Sequence, residues 1–466
     1  MPATPDPASR NRAGYGLDAA NFFLADVRAG LGPYLAIYLL TVQKWDPQSI
    51  GLVMSIATIA GVVAQTPAGA LVDATRAKRG LLAAAAVMAT AACLLLPWLS
   101  SFWAVALSQA SAQPAAAALA PALTAVTLGI VGRKLFAWRV GRNEFFNHAG
   151  NVVAAAIAGV LSWRFGPVVV FHMLATMAIA SLLALPLIPG TAIDHDVARG
   201  LDPDRDNHLA PAASGWTMLF GNRPLLIFVV SVLLFHLANA AMLPLVGQQL
   251  ASQDDRLGTT LMSVCIVAAQ LVMLPMALLV GARADCWGRK PLFLSRLFIL
   301  TLRAVLYTLS DNPIWLLSVQ LLDGVGAGIF GAIFPVIVAD VTRGSGHFNL
   351  AQGPVNTAQG VGAALSESCS YTAATTPHSW LSGPQPVPGW CFSFSPCLKP
   401  ETSAAAPKTQ RCRHNPHMGS TDRQFALGRN SPARGAIQRV WKLGQHCHIG
   451  DQRHPAANAI LAIALN

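Results

Sequence analysis

Charge is what this sequence has least of. Asp, Glu, Lys and Arg make up 11% of its 466 residues, where an ordinary soluble domain carries about 25%. A water-soluble fold of this length coats itself with charge, so the shortage argues against a soluble enzyme. Catalytic signatures are missing as well. There is no GxxxxGK[ST] phosphate loop, which argues against an ATP-driven pump, and no HExxH or paired CxxC for zinc. GVGAGIFG (324–331) has the glycines of a dinucleotide fingerprint but lies inside an apolar run, not between a strand and a helix. The cysteines of the first 365 residues (Cys93, Cys265 and Cys286) are scattered and suggest no disulfide framework. The N-terminus, MPATPDPASRNRAGYG, has no apolar h-region, so no cleaved signal peptide is expected.

Apolar residues are abundant. They make up 53% of the chain, and the mean hydropathy is +0.48. They gather in runs of the length that crosses a bilayer, roughly 20 residues. Spans are expected near 17–41, 49–72, 80–99, 102–131, 145–164 and 167–188, then near 224–250, 258–281, 291–309 and 313–341. An eleventh begins near Leu350 and loses its apolar character after Leu365. The net charge of +11 is read as topology-setting and not as a nucleic-acid footprint. Basic residues gather in alternate loops: Arg10/Arg12, Arg76/Lys78/Arg79, Arg133/Lys134/Arg139/Arg142, Arg199/Arg205/Arg223, Arg283/Arg289/Lys290 and Arg343. The opposite loops hold only Lys44, Arg164 and Arg256. The positive-inside rule then puts the N-terminus and the polar connector in the cytoplasm of a multi-pass inner-membrane protein.

The chain also repeats itself, a feature best sought early. GALVDATRAKRGLL (69–82) and GARADCWGRKPLFL (281–294) align at an offset of 212 residues, pairing Gly69 with Gly281, Asp73 with Asp285 and Lys78 with Lys290. FFLAD (22–26) and FHLAN (235–239) align at 213, and Gln109 and Gln320 at 211. A two-fold repeat of six-helix halves follows. The expected division is a cytoplasmic N-terminal tail (1–16), a six-helix half (17–190), a cytoplasmic connector (191–223), a second half with helices 7–10 and the start of helix 11 (224–365), and a basic tail of low order (366–466).

That tail is unlike the rest. It holds five of the eight cysteines, Cys369, Cys391, Cys397, Cys412 and Cys447, and contains no span-length apolar run. A zinc appendage using Cys412, His414, His417, Cys447 and His448 is one reading, although the spacings fit no standard site. A disordered cytoplasmic tail is a second. The third, which the abrupt switch in mid-helix favours, is a change of reading frame near residue 366.

On the two loop copies, residues 17–365 resemble the major facilitator superfamily. Its hallmark is G-x-L-x-D-x-x-G-R-[RK] between helices 2 and 3, with a weaker copy between helices 8 and 9. Here Gly281, Asp285, Gly288, Arg289 and Lys290 fit the pattern, with Arg283 at the Leu position. The first copy keeps Gly69, Leu71 and Asp73, is basic through Arg76, Lys78 and Arg79, and has Arg76 in place of the second Gly. The resemblance implies an all-α polytopic bundle of pseudo-two-fold 6+6 helices, with helices 11–12 incomplete or replaced. The small residues let helix ends approach closely, and an Asp beside basic residues is expected to form a cytoplasmic gating cluster. The alternative is that these charges only set topology. Arg142 and Glu144, in GRNEFFNHAGN (141–151), are expected to join the same cytoplasmic network.

Ionisable groups inside spans are functional candidates by default. Asp26 and Arg28 lie in helix 1, His236 in helix 7, Arg303 in helix 9 and Asp323 in helix 10. Asp26 and Arg28 are two residues apart and point to different faces. The resemblance implies that helices 1, 4, 7 and 10 line a central cavity. The candidates for binding solute or protons are then Asp26, Gln109, Gln113, His236, Asn239, Gln320 and Asp323. Each has a structural alternative. The carboxylates could pair with Arg28, Arg303 or backbone, His236 could be a packed, hydrogen-bonded histidine, and the glutamines could join helices by hydrogen bonds. The helix 4 Arg of some family branches and the Gly-Pro-rich helix 5 motif of drug–proton antiporters are both absent.

The expected function is secondary active transport of a small solute by alternating access, with protons as coupling ion and Asp26 or Asp323 titrating. No catalytic residue, metal, cofactor or nucleic-acid partner is expected, and the molecule is expected to be a monomer in the bilayer. The alternative is a membrane protein that does not transport, either a sensor or a defective remnant.

Overall fold

The computed structural model describes residues 7–29, 32–166, 168–201, 219–253 and 255–375. Every regular element among them is helical. The first half holds α1 (Pro7–Ala29), α2 (Gly32–Thr41), α3 (Pro47–Ala74), α4 (Lys78–Leu94), α5 (Phe102–Phe165) and α6 (Val169–Ala184), followed by the short α7 (His195–Ala198). The second holds α8 (Arg223–Asn239), α9 (Met242–Gln253), α10 (Asp255–Trp287), α11 (Arg289–Tyr307), α12 (Pro313–Val341) and α13 (Phe348–Thr375). The zinc candidates Cys412, His414, His417, Cys447 and His448, with the rest of 376–466, lie outside the described residues.

Local chemistry sets the helix starts. Asp46 caps α3 by accepting from the Ser49 amide at 2.9 Å, and Asn312 caps α12 by accepting from the Ile314 amide at 2.8 Å. In both cases a proline opens the helix, where its missing N–H costs nothing. Ser101 and Asn222 cap α5 and α8 in the same way.

Seven helices among the described residues are long and apolar enough to cross a membrane, and one of them, Phe102–Ser162, contains two expected spans. α1, α11 and α13 fall short because their polar residues point inward. The buried face of α11 reads Leu292, Arg296, Leu300, Arg303, Tyr307. Meanwhile Trp98, Trp103 and Leu183 are 78%, 69% and 72% exposed. Large apolar groups outside with polar groups inside is the arrangement that lipid selects, and the protein is an all-α, multi-pass membrane bundle.

Several helix bounds differ from those expected, and the expected spans 17–41 and 224–250 are each made of two helices, α1 with α2 and α8 with α9. α1 begins at Pro7, not near residue 17. There Ala13 is buried and the Gly14 carbonyl accepts from Arg139 at 3.1 Å. α5 does not break into a loop over 132–144. It turns back on itself at Gly132, whose φ of 67° and ψ of 176° lie outside the helical region, and the helix resumes at once. The Asn143 side-chain amide, donating to Thr127 at 2.8 Å, ties the two arms together. The basic stretch stays helical because its side chains find acceptors inside: Arg133 on the Ala339 and Gly200 carbonyls, Arg139 and Arg142 on Asp18. α13 continues past Leu365 to Thr375, with the Ser366 hydroxyl accepting from the Ala241 amide at 3.0 Å.

The turns at 75–77, Gly132, Gly288 and 342–347 share one end of the bundle, called here the motif end. Two seams join the halves there. α5 meets α10 where Gly141 faces Gly281: a Cβ on Gly141 would lie 2.5 Å from the Ala277 carbonyl oxygen and 2.6 Å from the Gly281 Cα. α3 meets α13 at Gly69, where a Cβ would overlap the Asn349 carbonyl. Such backbone-to-backbone approach needs residues without side chains. Gly141→Val is therefore expected to cost about 1–3 kcal/mol of overpacking, read as a lower thermal midpoint in detergent. Gly159→Ala, where an added Cβ meets nothing within 4 Å, is expected to leave that midpoint unchanged or slightly raised.

Candidate functional site

Helix N-termini leave amide groups without partners. At the start of α13 those amides are met by Asp73, at the far end of α3. Its Oδ1 accepts from the Asn349 amide at 3.3 Å and from the Asn349 side chain at 2.7 Å, and its Oδ2 accepts from the Leu350 amide at 2.7 Å. A carboxylate at this position also meets the positive end of the helix dipole. Asn349 in turn donates to the Ala198 carbonyl at 3.0 Å, which ties in the connector. Lys78, fully buried, donates to the Val72 and Thr75 carbonyls at 2.7 and 3.0 Å and closes the end of α3. Arg76 is exposed and Arg79 half-buried.

The second copy of the motif behaves differently. Asp285 is 57% exposed and pairs with Arg289 at 2.7 Å, while Arg289 also reaches Asp340 at 2.9 Å. All three residues belong to the second half, and Lys290 is exposed. Gly288, at φ 81°, adopts the left-handed turn that favours glycine. Arg76 has no such turn to make, because Lys78 closes the first copy with its side chain. The motif's two copies thus do not make equivalent contacts: the first bridges the halves, and the second braces its own half.

Inside the second half, five side chains form one network. Arg303, 2% exposed, forms an ion pair with Asp323 and donates to Asn239 at 2.7 Å and to Gln320 at 3.1 Å. Tyr307 donates to Gln320 at 2.7 Å, and Gln320 donates to Asp323 at 3.1 Å. Asn239, Gln320 and Asp323 are thereby brought together around an arginine whose partner could not be chosen from sequence. His236 stands apart from this network. Its Nδ1 lies 2.9 Å from the Val232 carbonyl and its Nε2 lies 3.5 Å from Arg296. Arg296, missed in the sequence, is 3% exposed and sits between the Phe235 and Phe330 rings, 3.4 and 3.7 Å from their centroids.

In the first half Asp26 is half-buried and makes no ion pair among the described residues. Gln109 and Gln113 line a cavity between α1, α2, α3, α4, α5 and α6. Arg142 and Glu144 do not join the motif loops as expected. Arg142 pairs with Asp18 at 2.6 Å, as does Arg139 at 2.7 Å. Glu144 accepts from Asn147 at 3.2 Å and lies 3.9 Å from His148, whose Nδ1 is 2.8 Å from Gln270 of the other half. Asn147 also accepts from Arg28 at 3.2 Å. The reason is the uninterrupted second arm of α5, which turns these groups into the bundle and away from the loops.

Removing one member of a buried ion pair strands the other. Arg303→Met and Asp323→Leu are each expected to cost about 3–5 kcal/mol. The double variant is expected to cost less than either single, a non-additivity measurable by unfolding in detergent.

Residues 17–367 match the family model described as Major Facilitator Superfamily. Two relatives, uncharacterized MFS-type transporters from Mycobacterium tuberculosis strains CDC 1551/Oshkosh and ATCC 25618/H37Rv, are each 57% identical over 355 residues, covering 76% of this chain and 85% of the relative. Among solved structures, the proton:xylose symporter XylE bound to 6-bromo-6-deoxy-D-glucose has a TM-score of 0.57 at 13% identity, covering 79% of this chain and 88% of its own. FucP in the outward conformation has a TM-score of 0.56 at 14% identity, covering 77% and 92%. At these identities the structures speak to the fold alone.

Proposed function

The chain belongs to the major facilitator superfamily, and from that premise we propose that it is a secondary active transporter moving a small solute by alternating access, with protons as coupling ion. The observation that carries the proposal is the closure of one end. At the motif end Asp73 of the first half holds the Asn349 and Leu350 amides of the second, and further hydrogen bonds between the halves, among them Thr124–Gln352, Gln65–Asn356 and His148–Gln270, run inward from there. A carrier closed at one end by noncovalent contacts has a gate it can open.

The basic residues of the motif end orient it toward the cytoplasm, so the bundle faces outward from the inner membrane with its N-terminus inside. Opening to the cytoplasm requires Asp73 to leave the α13 amides. Capping of this kind is worth about 0.5–2 kcal/mol, enough to bias the equilibrium without locking it. Asp26, without an ion pair among the described residues, and Asp323, held by Arg303, are the carboxylates that take up protons.

Two measurements test this reading. Asp73→Ala is expected to favour the inward-open state about fivefold, the factor for roughly 1 kcal/mol. The readout is faster maleimide labelling of an Ala351→Cys probe, whose site is fully buried in the seam, from the cytoplasmic side of inverted vesicles. In proteoliposomes with an imposed pH gradient, Asp26→Asn and Asp323→Asn are each expected to abolish accumulation while sparing exchange. Unchanged accumulation by both variants would refute coupling through these carboxylates.

A further inference from the structure

We propose that the cavity within the first half is a binding site for an uncharged, hydrogen-bonding solute of the polyol type. This deepens the transport reading by giving the substrate class. The cavity measures about 80 Å³ and is lined by first-half residues of α1, α2, α3, α4, α5 and α6. Its mouth is marked by exposed Met54 and Thr58 and half-buried Gln113, and its floor by buried Thr90 and Gln109. Met54 and Thr58 lie on α3 farther from the motif end than Val62, whose carbonyl accepts from Thr357 of the other half.

The polar floor is unfinished. The Gln109 amide nitrogen and the Thr90 hydroxyl are buried without a hydrogen-bond partner, and Gln109 and Thr90 are only 3% and 6% exposed. Buried polar groups normally find partners, so two orphans lining one cavity point to something that completes them. The occupant has to accept from an amide and exchange a hydrogen bond with a hydroxyl. It carries no charge in the cavity, because no Asp, Glu, His, Lys or Arg lines the walls among the described residues and a buried charge without a partner is strongly disfavoured. The remaining walls, Val27, Leu35, Leu174 and several alanines, are apolar and suit C–H faces. Alternating C–H and O–H surface is the chemistry of a polyol. A cavity of about 80 Å³ is small, so it takes a small polyol or the hydroxylated end of a larger one. The repeat explains why the site is one-sided. Gln320, the counterpart of Gln109, is engaged by Arg303 and Tyr307, so only the first-half glutamine is left open.

The test is equilibrium binding of radiolabelled xylitol to the purified protein in lipid nanodiscs, with erythritol, succinate and choline as competitors. Saturable binding is expected in the wild type, with competition by erythritol and none by the two ions. Gln109→Leu and Thr90→Val, both close in shape to the originals, are each expected to weaken xylitol at least tenfold without lowering the thermal midpoint. Binding unchanged in both variants, or displaced by succinate or choline, would overturn the proposal. So would an absence of xylitol and erythritol binding in folded wild type, which would leave the cavity to ordered water. The two readings fail separately. Gradient-driven uptake of an ion insensitive to xylitol would sink this inference and keep transport, whereas xylitol binding without any solute movement would do the reverse.

Discussion

Asp73 gives α13 the acceptors that a helix N-terminus lacks, and it gives them from the other half of the molecule. A buried amide without an acceptor is costly, so this contact helps fix where the halves meet. The neighbouring features serve it. Gly69 lets α3 come within backbone distance of Asn349, without which the short Asp side chain would not reach. Lys78 finishes the end of α3 so that Asp73 stays directed at its partner. Asn349 passes the contact on to Ala198, so the connector is fastened by the same few atoms.

The two halves share an ancestral pattern but divide the work. Where the first copy of the motif caps a helix across the seam, the second draws Asp285, Arg289 and Asp340 into a brace on its own side. The interiors differ in the same sense. The second half is crowded with a buried ion pair and an arginine held between two phenylalanines. The first half keeps a cavity with unmet hydrogen-bonding groups.

Much of this was legible in the sequence where the determinants are local. Apolar run length located the bundle, and Gly–Asp–basic spacing located both motif turns, because each turn is made by residues a few positions apart. The ionisable residues in spans were visible as anomalies, but their partners were not: Arg303 and Asp323 meet only when α11 packs on α12. The largest omission was the inner face of α5. Arg139 and Arg142 read as loop charges, Glu144 as part of a cytoplasmic network, and His148 drew no notice, because hydropathy does not distinguish a polar side chain in water from one turned toward Asp18 or Gln270. Asn349 was missed for a related reason, since nothing near it in sequence announces that its amide is capped from 276 residues away.

The single-residue turn at Gly132 has a mechanical meaning. A long loop between two antiparallel rods lets them slide past one another; a one-residue elbow does not. The arms of α5 can scissor about that point, but their register is fixed by chain length and by the Thr127–Asn143 bond. The arm that bears Gln109 and the arm that bears Gly141 therefore travel together, like the two legs of a pair of compasses. Any rearrangement that loosens the seam has to carry the cavity with it as cargo in a stiff frame.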